Sequence, residues 1–140
     1  MRKRRFGETG RSRPPKVKAV LPPVISIIDD DPSVRTATYN LLRSFGYAVH
    51  TFESAKAFLQ SPQLAETSCA IVDVRMPEMS GLDMQAHLRA QGKSLPLIFI
   101  TAVPDASAHA RAFAAGASGF LTKPFDKDTL IGCISNALRR

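Results

Sequence analysis

Short apolar runs alternate along the chain with longer segments in which apolar and polar residues repeat at helical spacing. Three runs, VISII, CAIVDV and LPLIFIT, are almost entirely apolar, which is typical of strands buried on both faces of a sheet. The stretches YAVHTF and GFLTK complete five predicted strands. Five amphipathic helices are predicted in DPSVRTATYNLLRSFG, SAKAFLQS, SGLDMQAHLRAQG, DASAHARAFAAG and DKDTLIGCISNALRR. This alternation predicts an α/β fold with a doubly wound, five-stranded parallel sheet.

Residues that commonly begin helices mark the predicted boundaries. Side chains suited to N-caps precede four of the helices, at Asp31, Ser54, Ser80 and Asp126. Asp83 completes a Ser-x-x-Asp capping arrangement with Ser80. On the first helix, the 3.6-residue period predicts an inward face that consists of Val34, Ala37, Leu41 and Leu42.

The net charge of +7 belongs to one end of the chain. Residues 1–23 contain eight of the 19 basic residues and one of the 12 acidic residues, so residues 24–140 are formally neutral. We therefore predict a flexible basic tail at 1–23 and a single domain at 24–140. The simplest interpretation of the tail is a solvated arm, and contact with a nucleic acid or an acidic partner is the alternative. DNA binding by this chain alone is not expected.

Cysteine content and hydropathy bear on the compartment. Cys69 and Cys133 are too few for a disulfide framework and lack metal-site spacing. No apolar run approaches the roughly 20 residues needed to cross a bilayer, and the N-terminus has no apolar signal segment. These features favour a cytoplasmic protein without a membrane partner. The Arg-rich start leaves an organelle transit peptide open as an alternative.

Polar side chains stand where the predicted apolar strands end. They are Asp29 and Asp30 after the first strand, Asp73 after the third, Thr101 after the fourth, and Lys123 after the fifth, followed by Pro124. In a doubly wound sheet, ligands bind at the carboxyl ends of the strands, so these side chains are expected to share one cleft. The scattered histidines His50, His87 and His109 form no such pattern and are interpreted as surface or helix-face residues.

This set of side chains suits phosphoryl transfer. Three carboxylates in one cleft need a hard cation, and oxygen ligands suit Mg²⁺. Asp73 can act as a nucleophile that forms an aspartyl phosphate. The Thr101 hydroxyl and the Lys123 ammonium can then bind phosphoryl oxygens. The alternatives for single residues are a solvent-facing capping cluster at 29–31, a surface lysine and a structural threonine.

Four stretches, IIDDDPSVR, AIVDVRMPEMSGLD, IFITA and AGASGFLTKPF, together resemble the receiver domain of bacterial two-component response regulators. The resemblance covers Val24 to the C-terminus, and its details are similar to receivers of the nitrogen-fixation regulator type. It implies a flavodoxin-like sheet with strand order 2-1-3-4-5. It also implies that Asp73 is the phospho-acceptor, that Lys123 pairs with the phosphate, and that the Lys123–Pro124 bond is cis. The implied Mg²⁺ ligands are Asp29, Asp30, Asp73 and the backbone carbonyl of Arg75.

The resemblance further implies a conformational switch. Thr101 matches the switch hydroxyl, and Phe120 matches an aromatic switch position at which Tyr is common. Phosphorylation would draw Thr101 toward the phosphate, turn Phe120 inward and change the face of helix four, strand five and helix five. The implied partners are a sensor histidine kinase or phosphotransfer protein, a downstream protein, and a second copy in a phosphorylation-dependent homodimer. The end at Arg140 indicates either a stand-alone receiver or a truncated longer regulator.

Three other functions compete with that of a phospho-accepting module, which turns over no metabolite and is not expected to be an enzyme. Phosphatases of the haloacid-dehalogenase type share the aspartyl nucleophile, Mg²⁺, a hydroxyl and a lysine. They generally carry a second Asp two residues later, where this chain has Arg75. A phosphorylation-independent interaction module would not need the acidic set. A DNA binder driven by the tail would lose affinity steeply with salt.

Overall fold

A computed structural model describes residues 21–139, so most of the predicted basic tail lies outside the described residues. The strands are β1 (Val24–Ile28), β2 (Ala48–Phe52), β3 (Cys69–Asp73), β4 (Leu97–Thr101) and β5 (Gly119–Thr122). The helices are α1 (Pro32–Ser44), α2 (Ala55–Leu59), α3 (Gly81–Ala90), α4 (Ala106–Ala114) and α5 (Lys127–Leu138). A 3₁₀ turn at Pro62–Glu66 is an addition to the predicted elements. All strands pair in parallel in the order β2-β1-β3-β4-β5, which confirms the predicted fold class and strand order.

The sheet is covered on both faces, as its continuous apolar strands predict. Successive residues of β3 contribute to opposite layers of the core. Ala70 and Val72 belong to the layer formed with α2, α3 and α4, whereas Cys69 and Ile71 belong to the layer formed with α1 and α5. Every residue of β3 and β4 is buried. The polar residues at the ends of these strands are therefore held on a rigid core.

The four predicted N-caps are confirmed. Asp31, Ser54, Ser80 and Asp126 each accept a backbone hydrogen bond in the first turn of the helix that follows. Ser80 and Asp83 form the complete capping box. Asp105 caps α4 in the same way, although it was not among the predicted caps. Each cap satisfies an N–H group that has no partner within its own helix.

The inward face of α1 differs from the prediction at one position. Thr38 is buried and Ala37 is exposed. Leu42 is fully buried, and the residue one turn before it on the same side of a helix is Thr38. The apolar pattern favoured alanine over threonine here, but the rotation of the helix about its axis follows the larger Leu42 side chain.

The same substitution at two glycines should have opposite effects. A Cβ at Gly81 would lie 2.5 Å from the carbonyl oxygen of Asp73, whereas a Cβ at Gly132, within α5, would meet nothing within 4 Å. We expect Gly81→Ala to lower the free energy of unfolding by roughly 1–3 kcal/mol, because the close atom belongs to the backbone. Gly132→Ala should raise it by about 0.5–1 kcal/mol. Urea unfolding measures both changes, and an unaltered stability of Gly81→Ala would contradict the close approach.

Contacts of the sheet begin just before the first strand. The carbonyl oxygen of Pro23 accepts a hydrogen bond from the amide of Ala48 at 3.1 Å, so sheet contacts begin one residue before β1. Neither Cys69 nor Cys133 forms a disulfide bond within the described residues. Between residues 21 and 139, no helix is long and apolar enough to cross a membrane.

Candidate functional site

The carboxylates that follow β1 and end β3 meet at the carboxyl edge of the sheet. Asp29, Asp30 and Asp73 each offer one oxygen, and these oxygens lie within 4.8 Å of one another. Asp29 is fully buried and Asp73 is 9% exposed, whereas Asp30 is exposed. Because β1 and β3 are adjacent parallel strands, their ends bring these side chains together. Such an all-oxygen cluster could hold a hard divalent cation.

Asp29 is fixed through one oxygen and lacks a hydrogen bond at the other. Its Oδ1 accepts a hydrogen bond from the amide of Asp31 at 2.9 Å. Asp31 in turn caps α1 by accepting from the amide of Ser33 at 2.9 Å. The buried Oδ2 of Asp29 has no hydrogen-bond partner within the described part of the chain. A buried carboxylate oxygen without a hydrogen bond is unfavourable, so this atom is suited to a cation.

Arg35 forms a hydrogen bond with the backbone of the turn that carries Asp29 and Asp30. Its Nη1 donates to the carbonyl oxygen of Asp29 at 2.7 Å. The sequence pattern assigned no role to Arg35. The available signal was an arginine in the first turn of the helix after the carboxylates, because helical side chains lean back toward the N-terminus of their helix.

Burial raises the pKa values of the two inner carboxylates, Asp29 and Asp73. It raises the pKa of Asp73 above the usual Asp value, against the amide of Arg75 and the charge of Lys123, which lower it. The Arg75 amide donates to Asp73 Oδ1 at 3.1 Å. Burial also raises the pKa of Asp29, and the carboxylate of Asp73 adds to that rise. Added positive charge at the cluster would therefore favour the ionised forms of both.

Thr101 joins the end of β4 to two neighbouring segments. It is buried, and its hydroxyl donates to the carbonyl of Val103 at 3.1 Å and accepts from the Val103 amide at 3.3 Å. The Thr101 carbonyl accepts from the amide of Lys123 at 2.8 Å. Any movement of this hydroxyl toward the carboxylates would therefore have to release Val103.

Lys123, which follows the carboxyl end of β5, places a positive charge beside the acidic cluster. Its Nζ lies 3.8 Å from Asp29 Oδ2, and its side chain is 25% exposed. At that distance the pair is too long for a hydrogen bond, so the ammonium can still donate to another acceptor. The peptide bond between Lys123 and Pro124 is cis.

Phe120 is half-buried and packs among other rings. Its ring centroid lies 5.0 Å from that of His109 and 6.2 Å from that of Phe99. The His109 ring also lies 4.8 Å from the ring of Phe113. The predicted place of His109 on a helix surface is confirmed, but its ring contacts were not predicted. The available signal was the four-residue spacing of His109 and Phe113 on one helix face.

Arg75 connects the acidic cluster to α4. Its Nη2 donates to Asp105 Oδ2 at 3.1 Å. The other carboxylate oxygen of Asp105 caps α4 by accepting from the amide of Ala108 at 3.0 Å. The resemblance to receiver domains implied an electrostatic effect of Arg75 as well as a role for its backbone carbonyl, but the sequence did not predict Asp105 as its partner, because local spacing does not reveal a partner so far along the chain.

Comparisons with known proteins agree with this geometry. The family model for the response regulator receiver domain matches residues 25–135. Response regulator protein TodT of Pseudomonas putida is 46% identical over 116 residues, which cover 83% of this chain and 51% of TodT. A low-resolution structure of the response regulator StyR is 42% identical, with a TM-score of 0.79 and coverage of 84% of this chain and 60% of that one. The crystal structure of FixJ-N is 31% identical, with a TM-score of 0.77 and coverage of 84% and 94%. The chain spans about half the length of the curated relatives that it matches.

Proposed function

This chain belongs to the response regulator receiver domain family, and from that premise we propose that it accepts a phosphoryl group on Asp73. The donor would be a sensor histidine kinase or a phosphotransfer protein. The observation that carries the proposal is the convergence of Asp73, Asp29 and the Lys123 ammonium at one edge of the sheet. Such a set suffices for phosphoryl transfer, because this chemistry depends mainly on positioning and charge neutralisation.

In the transfer step, a carboxylate oxygen of Asp73 attacks the phosphorus of a phosphohistidine. A new O–P bond forms and the P–N bond to the donor imidazole breaks, and the imidazole nitrogen keeps the electron pair and takes up a proton. The hydrogen bond from the Arg75 amide holds Oδ1 of Asp73, which leaves Oδ2 for the attack. Water attack on the same phosphorus would later release inorganic phosphate and restore the carboxylate.

The acidic cluster fits Mg²⁺, because its donors are all oxygens and Oδ2 of Asp29 is buried without a hydrogen bond. We propose that Asp29, Asp30, Asp73 and the backbone carbonyl of Arg75 hold this ion. When bound, Mg²⁺ supplies positive charge that neutralises the carboxylates and the phosphoryl oxygens.

Lys123 and Thr101 are proposed to bind the remaining phosphoryl oxygens. Lys123 would exchange its long contact with Asp29 for a charge-assisted hydrogen bond, which is the stronger interaction. The Thr101 hydroxyl would release the Val103 carbonyl and donate to the phosphoryl group. Because Val103 lies in the loop between β4 and α4, this exchange would move that loop.

We propose that the loop movement changes the surface formed by α4, β5 and α5. Phe120 has no hydroxyl, so its coupling to Thr101 has to rely on packing, and the rings of Phe99 and His109 are its neighbours. Val103 and Phe113 are 52% and 44% exposed and already place apolar area on this side. Exposed apolar area often marks an interaction site, so a downstream protein or a second phosphorylated copy would bind here.

The chain would thus serve as a phosphorylation-dependent signalling module rather than as a metabolic enzyme. TodT is named a response regulator, and the relative FixJ of Bradyrhizobium diazoefficiens is named a transcriptional regulatory protein. The match covers only about half of each of those relatives, so a transcriptional output of this chain is proposed from their names alone. The cytoplasmic location stays a prediction.

Incubation with acetyl phosphate tests the phospho-acceptor proposal. We expect the intact mass to rise by one phosphoryl group in the presence of Mg²⁺ and to stay unchanged with a chelator. On the same sample, backbone amide chemical shifts in β5 and α4 should change with phosphorylation. The absence of a mass gain both from acetyl phosphate and from a phosphorylated phosphotransfer domain would contradict the proposal.

A further inference from the structure

The side chain of Arg75 carries a positive charge that the proposed chemistry does not use. Its guanidinium donates to Asp105 at the N-cap of α4, at 3.1 Å. Its backbone amide donates to Asp73 Oδ1, also at 3.1 Å. One residue therefore contacts the proposed nucleophile through its backbone and the start of α4 through its side chain.

The guanidinium can reach a phosphoryl group on Asp73. The Arg75 amide nitrogen lies 3.1 Å from Asp73 Oδ1 and an N–Cα bond is about 1.46 Å, so the Arg75 Cα lies within about 4.6 Å of that oxygen. The three methylene groups and the guanidinium of an arginine can span this distance. The side chain is 59% exposed and borders an open cleft of about 570 Å³ between the β3–α3 loop and α4. It therefore has room to move.

Asp105 holds this guanidinium weakly in comparison with a phosphoryl group. An exposed ion pair contributes little to stability, because solvent screens it and two flexible side chains must be ordered. A phosphoryl group brings up to about two negative charges and three acceptor oxygens. Arginine binds such a group through two parallel hydrogen bonds. A phosphoryl group on Asp73 should therefore win the competition for Arg75.

We propose that Arg75 is a second phosphoryl-binding cation, which Asp105 holds in reserve until Asp73 is phosphorylated. The inference rests on the proposed function, because it requires a phosphoryl group on Asp73. When the Arg75 side chain moves to the phosphoryl group, its guanidinium adds a second positive charge there, next to that of Lys123. It also releases Asp105, so that the N-terminus of α4 loses its tie to the loop after β3. Both ends of the β4–α4 loop, at Thr101 and at Asp105, then exchange partners in the same event.

A double-mutant cycle with a phosphoryl mimic tests this inference. The probe is trifluoroberyllate in the presence of Mg²⁺, with its affinity measured by fluorine NMR titration. Arg75→Gln should weaken binding by about tenfold, because it removes a charge-assisted contact. Asp105→Asn keeps an oxygen that can cap α4 but removes the ion pair, so it should tighten binding by about two- to fivefold. In the Arg75→Gln background, Asp105→Asn should have no further effect.

Arg111→Gln is the matched control, because Arg111 lines the same cleft and its substitution removes the same charge. It should change the affinity by less than about twofold, and circular dichroism should show that all the variants are folded. If Arg111→Gln and Arg75→Gln weaken binding equally, the inference is overturned while the proposed function stands. The same holds if Asp105→Asn tightens binding equally with and without Arg75. If the wild type neither binds the probe nor gains a phosphoryl group, the proposed function fails and the inference fails with it.

Discussion

The Asp73→Asn variant should gain no mass from acetyl phosphate under conditions in which the wild type gains one phosphoryl group. The neutral amide oxygen of asparagine is a far weaker nucleophile than a carboxylate, and the buried carboxylate of Asp73 is the one that ends β3 beside the other acidic residues. We expect the loss to be complete, as measured by intact mass with Mg²⁺ present.

Asp83→Asn is the control for this experiment. Asp83 is an exposed carboxylate in the capping box of α3, and its loss should leave phosphoryl acceptance unchanged. Equal mass gains in the wild type and in Asp73→Asn would place the acceptor on another residue. Peptide mapping of the phosphorylated chain would then identify that residue.

Simultaneous replacement of Asp29 and Asp30 by asparagine should abolish Mg²⁺ binding. The substitutions leave one carboxylate of the three in the cluster and remove the charge at the buried Oδ2 of Asp29. Titration calorimetry with MgCl₂ measures the loss. Asp31→Asn is the control, because asparagine can still cap α1, and its Mg²⁺ affinity should remain close to that of the wild type. Unchanged affinity in the double variant would refute the metal assignment.

The same double variant should change the pH dependence of stability when Mg²⁺ is removed by a chelator. Because the pKa values of Asp29 and Asp73 are raised in the folded chain, these two groups bind more protons in the folded state than in the unfolded state above about pH 4. Their contribution to stability is fully present below the usual Asp pKa and is lost as the pH rises through the raised values. The double variant removes the Asp29 part of this loss, so its melting temperature near neutral pH should exceed that of the wild type. A lower melting temperature would mean that the Asp29–Asp31 hydrogen bond outweighs the cost of the buried charge.

The sheet and the convergence of the carboxylates could be predicted because both follow from the course of the backbone. The residues of β3 and β4 are buried on both faces, and such strands have to be continuously apolar. Once the strands are parallel, Asp29 and Asp73 must emerge at the same edge. Caps such as Asp31 and Ser80 were also predictable, because each contacts its own helix within three residues.

Contacts between distant side chains could not be predicted in the same way. The pairing of Arg75 with Asp105 depends on where two separate loops lie, and the packing of His109 against Phe120 depends on how α4 is rotated about its axis. On α1, Thr38 lies on the inner face where the apolar pattern predicted Ala37, so the pattern gave the wrong rotation for this helix. Helical periodicity gives the width of an apolar face, and the packing of its largest side chain decides its centre.

The absence of a hydroxyl on Phe120 has a thermodynamic consequence. A tyrosine in this place would exchange one hydrogen bond for another as its ring turned. In the proposed switch, Phe120 can exchange only apolar contact, including its present packing against Phe99 and His109. Burial of apolar surface lowers the heat capacity, and the driving force for it weakens on cooling. If the proposed switch buries more of this ring, its equilibrium should shift with temperature, so that phosphorylation would move the surface of α4, β5 and α5 less completely in the cold than in the warm.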